Sequence, residues 1–124
     1  MKTSVELDHP VLFILDYSNE HIEIPEFNEK TGINHSPSCV SVGAISYADG
    51  KVAVSLYKRK EHNHDPAKMK KIISTEILTP SKKISVTNAE NSKLLEIDSP
   101  DTSTTITVYT DSSPYAENVI ILIG

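Results

Sequence analysis

The chain has 124 residues, a formal net charge of −5 and a single cysteine, Cys39. This length predicts one domain, residues 1–124, that can bury a hydrophobic core without disulfides or metals. One cysteine excludes an internal disulfide, which is typical of proteins from a reducing compartment. The apolar run at 11–15 is too short for a signal peptide or a membrane span, so we expect a cytoplasmic protein that makes no membrane contact.

The charged residues fall into three blocks of alternating sign. Residues 1–50 hold eight acidic and two basic residues. Residues 51–83 hold three acidic and nine basic residues, and residues 84–124 hold six acidic residues and one basic residue. The net charge therefore changes from negative to positive and back to negative along the chain. Blocks of this kind either predict opposed patches on the folded surface or are an accidental distribution of the charge that any soluble domain needs.

In chain order, short runs rich in β-branched residues alternate apolar and polar positions, which favours strands over helices. The predicted strands are "PVLFILDY", "HIEI", "CVSVGAISYA", "KVAVSLYKRK", "KIISTEIL", "KKISVT", "KLLEID", "TTITVYT" and "NVIILI". "DSPDTS" predicts a turn between the runs at 93–98 and 104–110. About eight or nine short strands at this spacing predict an all-β antiparallel sandwich with at most one short helix.

Asp49-Gly50 is the type of dipeptide that best accepts a tight type I′ hairpin turn. A two-residue loop at this point pairs the strands on either side and predicts one core-facing set: Ile45, Tyr47, Val52, Val54 and Leu56. The apolar residues of 40–44 have the opposite parity. Either a β-bulge near Gly43 returns them to the core, or the outer face of the sheet is covered as well.

The segment 57–73 concentrates six of the twelve basic residues and two histidines. His62 and His64 could approach one metal ion, but a site normally needs three or four ligands, so we expect no metal. Lysines suit phosphates, yet base stacking normally needs aromatic residues and the acidic chain repels polyanions, so we expect no direct nucleic-acid binding. The segment predicts a polar connection with a short helix that begins at Asp65-Pro66.

The sequence gives no support for an enzyme or a cofactor. It contains no nucleophile elbow and no Gly-rich phosphate loop, and four glycines leave little backbone for such loops. Cys39 lies in a strand pattern, which is typical of a small core residue rather than a nucleophile. We therefore expect a protein that is not catalytic.

An acidic stretch, "DYSNEHIEIPEFNEK", precedes the first half of the predicted sheet. Its carboxylates alternate with apolar residues, and the five acidic residues are Asp16, Glu20, Glu23, Glu26 and Glu29. If the run is extended, Ile22 and Ile24 dock on the sheet while the carboxylates face solvent. The stretch is then either an ordinary amphipathic edge strand followed by a loop, or a patch that meets a basic partner such as a nuclease cleft, since carboxylates can replace phosphates there.

The order "GAISYADGKVAVSLYKR", "KKISVT", "LLEIDSPDTSTTITVYTD" and "NVIILIG" resembles the competence protein J family, over about residues 39–124. That family includes bacterial inhibitors of a DNA-entry nuclease. The resemblance implies an acidic, cytosolic, non-catalytic protein that inhibits a nuclease by binding it. Small size and acidity are also typical of immunity proteins in bacterial toxin systems.

These observations together predict a protein that neutralises a cognate nuclease or nuclease toxin by occluding its basic cleft, and that is a monomer when free. The first predicted contact set is Asp16, Glu20, Glu23, Glu26 and Glu29. A second set, Glu96, Asp98 and Asp101, joins it if the "DSPDTS" turn lies at the same end of the sandwich. The alternative is a non-catalytic lipid- or ligand-binding module that uses the basic segment 58–71.

Overall fold

A computed structural model of the chain describes residues 1–61 and 69–124. In these two ranges the chain forms ten strands and two short 3-10 turns. The strands are β1 (Lys2–Val5), β2 (Val11–Leu15), β3 (Ile33–Ser36), β4 (Cys39–Gly43), β5 (Val52–Lys58), β6 (Lys70–Leu78), β7 (Lys83–Thr87), β8 (Lys93–Asp98), β9 (Ser103–Thr110) and β10 (Asn118–Ile123). The 3-10 turns are Tyr47–Asp49 and Arg59–Glu61. No helix in the described ranges is long and apolar enough to cross a membrane.

The strands form two five-stranded sheets. Sheet 1 has the order β1-β5-β10-β9-β6, and sheet 2 has the order β3-β4-β2-β7-β8. The predicted all-β sandwich is therefore confirmed. It is not purely antiparallel, because β10 pairs with β5 in parallel, with Asn118 opposite Ala53 and Ile123 opposite Lys58. The other paired strands of both sheets run antiparallel.

The core lies between the sheets and is built from every second residue of the central strands. On β5, Val52, Val54 and Leu56 are fully buried, as their parity predicted. They pack with inward residues of both sheets: Leu12, Ile14, Val40, Val42, Ile84, Val86, Ile106, Val108, Val119 and Ile121. Complete burial of one such aliphatic side chain contributes about 1.5–3 kcal/mol, so this layer supplies most of the stabilisation.

The predicted hairpin at Asp49-Gly50 is wrong, since β4 lies in sheet 2 and β5 in sheet 1. A type I′ turn needs positive φ at both residues, but only Gly50 has it, at +124°, while Asp49 closes a 3-10 turn. The chain crosses between the sheets at this point, and the Tyr47 amide bonds to the Leu7 carbonyl at 2.8 Å. Tyr47 is consequently 61% exposed rather than in the core.

Two further differences separate the predicted elements from the structure. Residues 21–24 are not a strand, whereas β1 and β3 were not predicted. The strands on either side of "DSPDTS" are present, but the turn carries the chain from sheet 2 to sheet 1. His62, His64 and the helix predicted to begin at Asp65-Pro66 lie outside the described residues.

Candidate partner-binding surface

The connection between β2 and β3, residues 16–32, lies over the outer face of sheet 2, and we call it the acidic strap. Ser36 Oγ donates a hydrogen bond to the Glu23 carbonyl at 2.6 Å, and Asn34 Nδ2 donates one to the Glu26 carbonyl at 2.7 Å. Further along the face, Ile24 shares the wall of a cavity with Phe13 and Leu15. The strap thus crosses the face instead of extending the sheet as an edge strand.

The strap, together with Pro114, covers the outer face of β4, so this strand is buried on both of its faces. Cys39, Ser41 and Gly43 alternate with the core residues of this strand, and all of β4 is buried. Of the two alternatives for residues 40–44, the covered outer face is the one that the structure shows. Burial raises the pKa of the Cys39 thiol to about 12, so the thiol stays protonated and is a poor nucleophile.

Asp16 lies at the start of the strap and is fully buried, whereas its predicted role as a partner contact needs an exposed side chain. Its carboxylate accepts hydrogen bonds from Ser81 N at 2.7 Å, from Ser81 Oγ at 2.5 Å and from Ser18 N at 3.1 Å. A buried carboxylate is tolerated when donors of this kind satisfy it. Asp16 therefore ties the strap to the 79–82 turn that precedes β7.

The other four acidic residues of the strap, Glu20, Glu23, Glu26 and Glu29, are exposed. The strap is held by its backbone, because the Glu23 amide bonds to Ser38 Oγ at 2.8 Å and the carbonyls of Glu23 and Glu26 accept the bonds described above. Phe27 is half-buried and stacks on Tyr115, with ring centroids 6.0 Å apart. The strap thus presents its carboxylates to solvent from a fixed backbone.

The second acidic set lies on and after β8, the edge strand of sheet 2. Leu15, Ser85 and Glu96 are register neighbours across β2, β7 and β8, so Glu96 lies on the same outer face as the strap. Ser85 Oγ donates to Glu96 Oε2 at 2.7 Å, and Lys93 Nζ lies 3.4 Å from the same oxygen. The hydrogen bond from Ser85 and, to a smaller extent, the charge of Lys93 lower the pKa of the Glu96 carboxyl.

The start of the strap and the connection after β8 lie at the same end of sheet 2. The 79–82 turn holds Asp16 through Ser81, and it also holds the connection between β8 and β9. In that connection the Ser99 amide bonds to the Lys82 carbonyl at 2.9 Å, and Thr79 Oγ1 donates to the Asp101 carbonyl at 2.8 Å. The Asp98 and Asp101 side chains are exposed at this end.

Two exposed apolar side chains accompany the carboxylates, and the sequence did not single them out. Ile24 is 57% exposed and Tyr17 is 38% exposed. The Tyr17 hydroxyl donates to the Asn91 carbonyl at 3.2 Å, and Lys93 Nζ lies 5.1 Å from the centre of the Tyr17 ring. An anchored aromatic ring beside an exposed aliphatic side chain is typical of the centre of a protein interface.

The described basic residues of the segment 57–73 lie in or next to sheet 1. Lys58 ends β5, Arg59 and Lys60 follow it, and Lys70 and Lys71 begin β6. The acidic strap covers the other sheet. Within residues 1–61 and 69–124, no group of three His, Cys, Asp or Glu side chains is arranged to hold a metal ion.

No protein-family model matches the chain, and no curated protein sequence matches it either. One solved structure does: the crystal structure of ComJ, inhibitor of the DNA degrading activity of NucA, from Bacillus subtilis. The match has a TM-score of 0.71 at 11% sequence identity and covers 99% of this chain and 93% of that one. At such low identity the similarity shows the fold alone, and the chain therefore has the fold of the nuclease inhibitor ComJ.

Proposed function

We propose that this protein inhibits a nuclease by binding it and is not itself an enzyme. The observation that carries the proposal is the fold, which matches that of a nuclease inhibitor over 99% of the chain. The acidic character of the chain, with a net charge of −5, agrees with a basic partner. The inhibitor would act as a cytoplasmic monomer and would need no cofactor, because occlusion of a cleft involves no chemical step.

The acidic strap is the proposed contact surface. Glu20, Glu23, Glu26 and Glu29 reach solvent from a backbone that is bonded to β3 and to the turn after it, so little conformational entropy is lost on binding. Their carboxylates would occupy phosphate positions in the basic cleft of the nuclease, where arginine donates paired hydrogen bonds to either anion. Asp16 is a positioning residue in this scheme and makes no contact with the partner.

Glu96, Asp98 and Asp101 extend the proposed surface along β8 and the connection that follows it. Glu96 carries its charge at neutral pH, since its pKa is lowered by the hydrogen bond from Ser85. Tyr17 and Ile24 lie on the same side of sheet 2 and would supply the apolar part of the contact. Carboxylates alone would give fast association, whereas apolar burial in the middle of the contact would keep the complex together.

The test is inhibition of a DNA-degrading nuclease encoded beside this protein's own gene. We expect the wild-type protein to inhibit it in stoichiometric amounts, and a triple variant Glu20→Lys, Glu23→Lys, Glu26→Lys to inhibit at least about a hundredfold less. A rim charge typically contributes up to about 1 kcal/mol, and three charge reversals act together. Circular dichroism must show that the variant remains folded.

A matched control separates local contact from net charge. Glu6, Asp8 and Glu117 are exposed, lie outside the strap, and give the same change of net charge when all three are replaced by Lys. This control variant should keep most of its inhibition. Equal loss in both variants would show that the strap is not the contact surface, and a wild-type protein that never inhibits would remove the inhibitor proposal itself.

A further inference from the structure

The core-facing row of β5 ends in a lysine. Val52, Val54 and Leu56 are fully buried between the sheets, and Lys58 is the next residue with the same parity. Lys58 is the register partner of Ile123 on β10, and Ile123 belongs to the core. Paired residues of neighbouring strands point to the same face, so the Lys58 side chain is directed between the sheets.

This lysine lacks an anionic partner in the part of the chain that the structure describes. Lys58 is half-buried, and no carboxylate of residues 1–61 or 69–124 lies within ion-pair distance of its ammonium group. Placing a cation at the end of an apolar layer costs free energy of desolvation unless an anion or a water molecule interacts with the charge. A strand that served packing alone would carry an apolar residue at this position, as it does at the three preceding inward positions.

A cavity of about 480 Å³ opens beside Lys58 at this end of the sandwich. Ile123 and Pro100 contribute to a mainly apolar wall, and Arg59 and Lys60 also line it, as does Asp98 from the other sheet. Small-molecule sites usually have volumes of about 300–1,000 Å³ and combine apolar walls with a few polar groups that fix orientation. This cavity has that size and that composition.

We propose that this cavity binds a small amphipathic anion, with its apolar chain against the apolar wall at Pro100 and its carboxylate paired with Lys58. Burial of the chain supplies affinity in proportion to its apolar area, and the ion pair fixes its direction. The site is distinct from the strap and shares only Asp98 with the proposed contact surface, so the proposal does not depend on nuclease inhibition.

The experiment compares decanoate with decanol, which has the same chain without the charge, by calorimetric titration of the full-length protein. We expect saturable binding of one decanoate per protein, and binding of decanol that is about tenfold weaker or worse, which corresponds to about 1.4 kcal/mol for the ion pair. Lys58→Met keeps the length and apolar stem of the side chain but removes its charge. It should reduce decanoate affinity to that of decanol and leave decanol binding unchanged.

Lys71→Met is the matched control, because Lys71 is an exposed lysine on β6 and does not line the cavity. It should bind decanoate as the wild type does. Amide chemical-shift mapping on the wild-type protein gives a readout that needs no variant, and the changes should centre on Lys58, Ser99 and Ile123.

Several results would overturn the proposal. These are no saturable binding of decanoate, equal affinity in wild type and Lys58→Met, or shift changes confined to another part of the molecule. Binding to phosphatidylglycerol vesicles without binding of decanoate would also overturn it, since it would indicate a membrane-surface contact instead of an occupied cavity. If Lys58→Met does not fold, Pro100→Phe, at an exposed position of the wall, should fill the cavity and abolish binding.

Discussion

Asp16 is acidic like the exposed glutamates of the strap, but its side chain lies in the opposite environment. It is fully buried and accepts three hydrogen bonds, two of them from Ser81, which is 65 positions later in the chain. The sequence around Asp16 contains nothing that distinguishes it from Glu20 or Glu23. Only the long-range pairing of β2 with β7 brings Ser81 to it, and such pairing cannot be read from a local pattern.

Removing the Asp16 carboxylate should destabilise the fold. Asp16→Ala leaves the amide and the hydroxyl of Ser81 without their acceptor, and hydrogen bonds to a charged group contribute about 1.5–3 kcal/mol each. We expect the free energy of unfolding, measured by urea titration, to fall by roughly 3 kcal/mol. Glu20→Ala, at an exposed position, should change it by no more than about 0.5 kcal/mol. Equal effects of the two substitutions would contradict the anchoring role.

Glu96 should titrate at lower pH than an ordinary glutamate, which has a pKa of about 4.3. The lowered pKa means that the Ser85 hydrogen bond stabilises the ionised, folded form. That stabilisation is present at neutral pH, and it is lost as the pH falls below the usual glutamate value and through the pKa of the folded state. A carboxyl NMR titration should show the low pKa in the wild type and a higher one in Ser85→Ala. An unchanged pKa would exclude Ser85 as the main cause.

At the scale of elements, the alternation of apolar residues located most of the strands, because burial of one strand face imposes a period of two. It failed for β3, "INHS", whose Asn34 and Ser36 point towards the strap and hydrogen-bond its carbonyls. It also failed to show which strands pair. Asp49-Gly50 predicted a hairpin between β4 and β5. In the structure β4 lies in sheet 2, where it is buried on both faces, and β5 lies in sheet 1, so the chain crosses between the sheets at this point.

The candidate site was predicted less completely than the fold. The acidic stretch predicted the exposed carboxylates, but it did not predict that Tyr17 and Ile24 are exposed beside them. In a sequence, an exposed apolar residue cannot be distinguished from a core residue. Ile24 was predicted to dock on the sheet, and it is only partly covered. The 79–82 turn links Asp16 of the strap to the backbone of Asp101. Such a link between distant segments is visible only in three dimensions.

The strap should protect the thiol of Cys39 from modification. The thiol is fully buried on the covered face, and its pKa is raised to about 12. A thiol reagent at pH 8 should therefore react with the native protein far more slowly than with the unfolded chain. Asp16→Ala, which releases one end of the strap, should accelerate the reaction at denaturant concentrations where the core is intact. An unchanged rate would show that the strap stays in place without Asp16.

At the scale of the whole molecule, the acidic strap lies on sheet 2, and Lys58, Arg59, Lys60, Lys70 and Lys71 lie in or next to sheet 1. If the strap steers the protein onto a basic nuclease, association should slow steeply as salt rises, because exposed charges are screened over about 8 Å at 0.15 M salt. Stopped-flow association rates measured from low to high ionic strength test this. The dissociation rate should change much less, and a salt-independent association rate would exclude electrostatic steering.

The parallel pair of β5 and β10 has a consequence for the order of folding. β10 lies between β5 and β9, so sheet 1 is two separate pieces until β10 is inserted. β10 also follows every other described strand in the chain, and a chain emerging from the ribosome exposes it last. Until β10 is synthesised, β5 and β9 each have one edge whose backbone groups lack hydrogen-bond partners. Such an edge can pair with a strand of another chain. The yield of folded protein should consequently depend on how fast β10 is synthesised and inserted between β5 and β9. Slow insertion should favour aggregation.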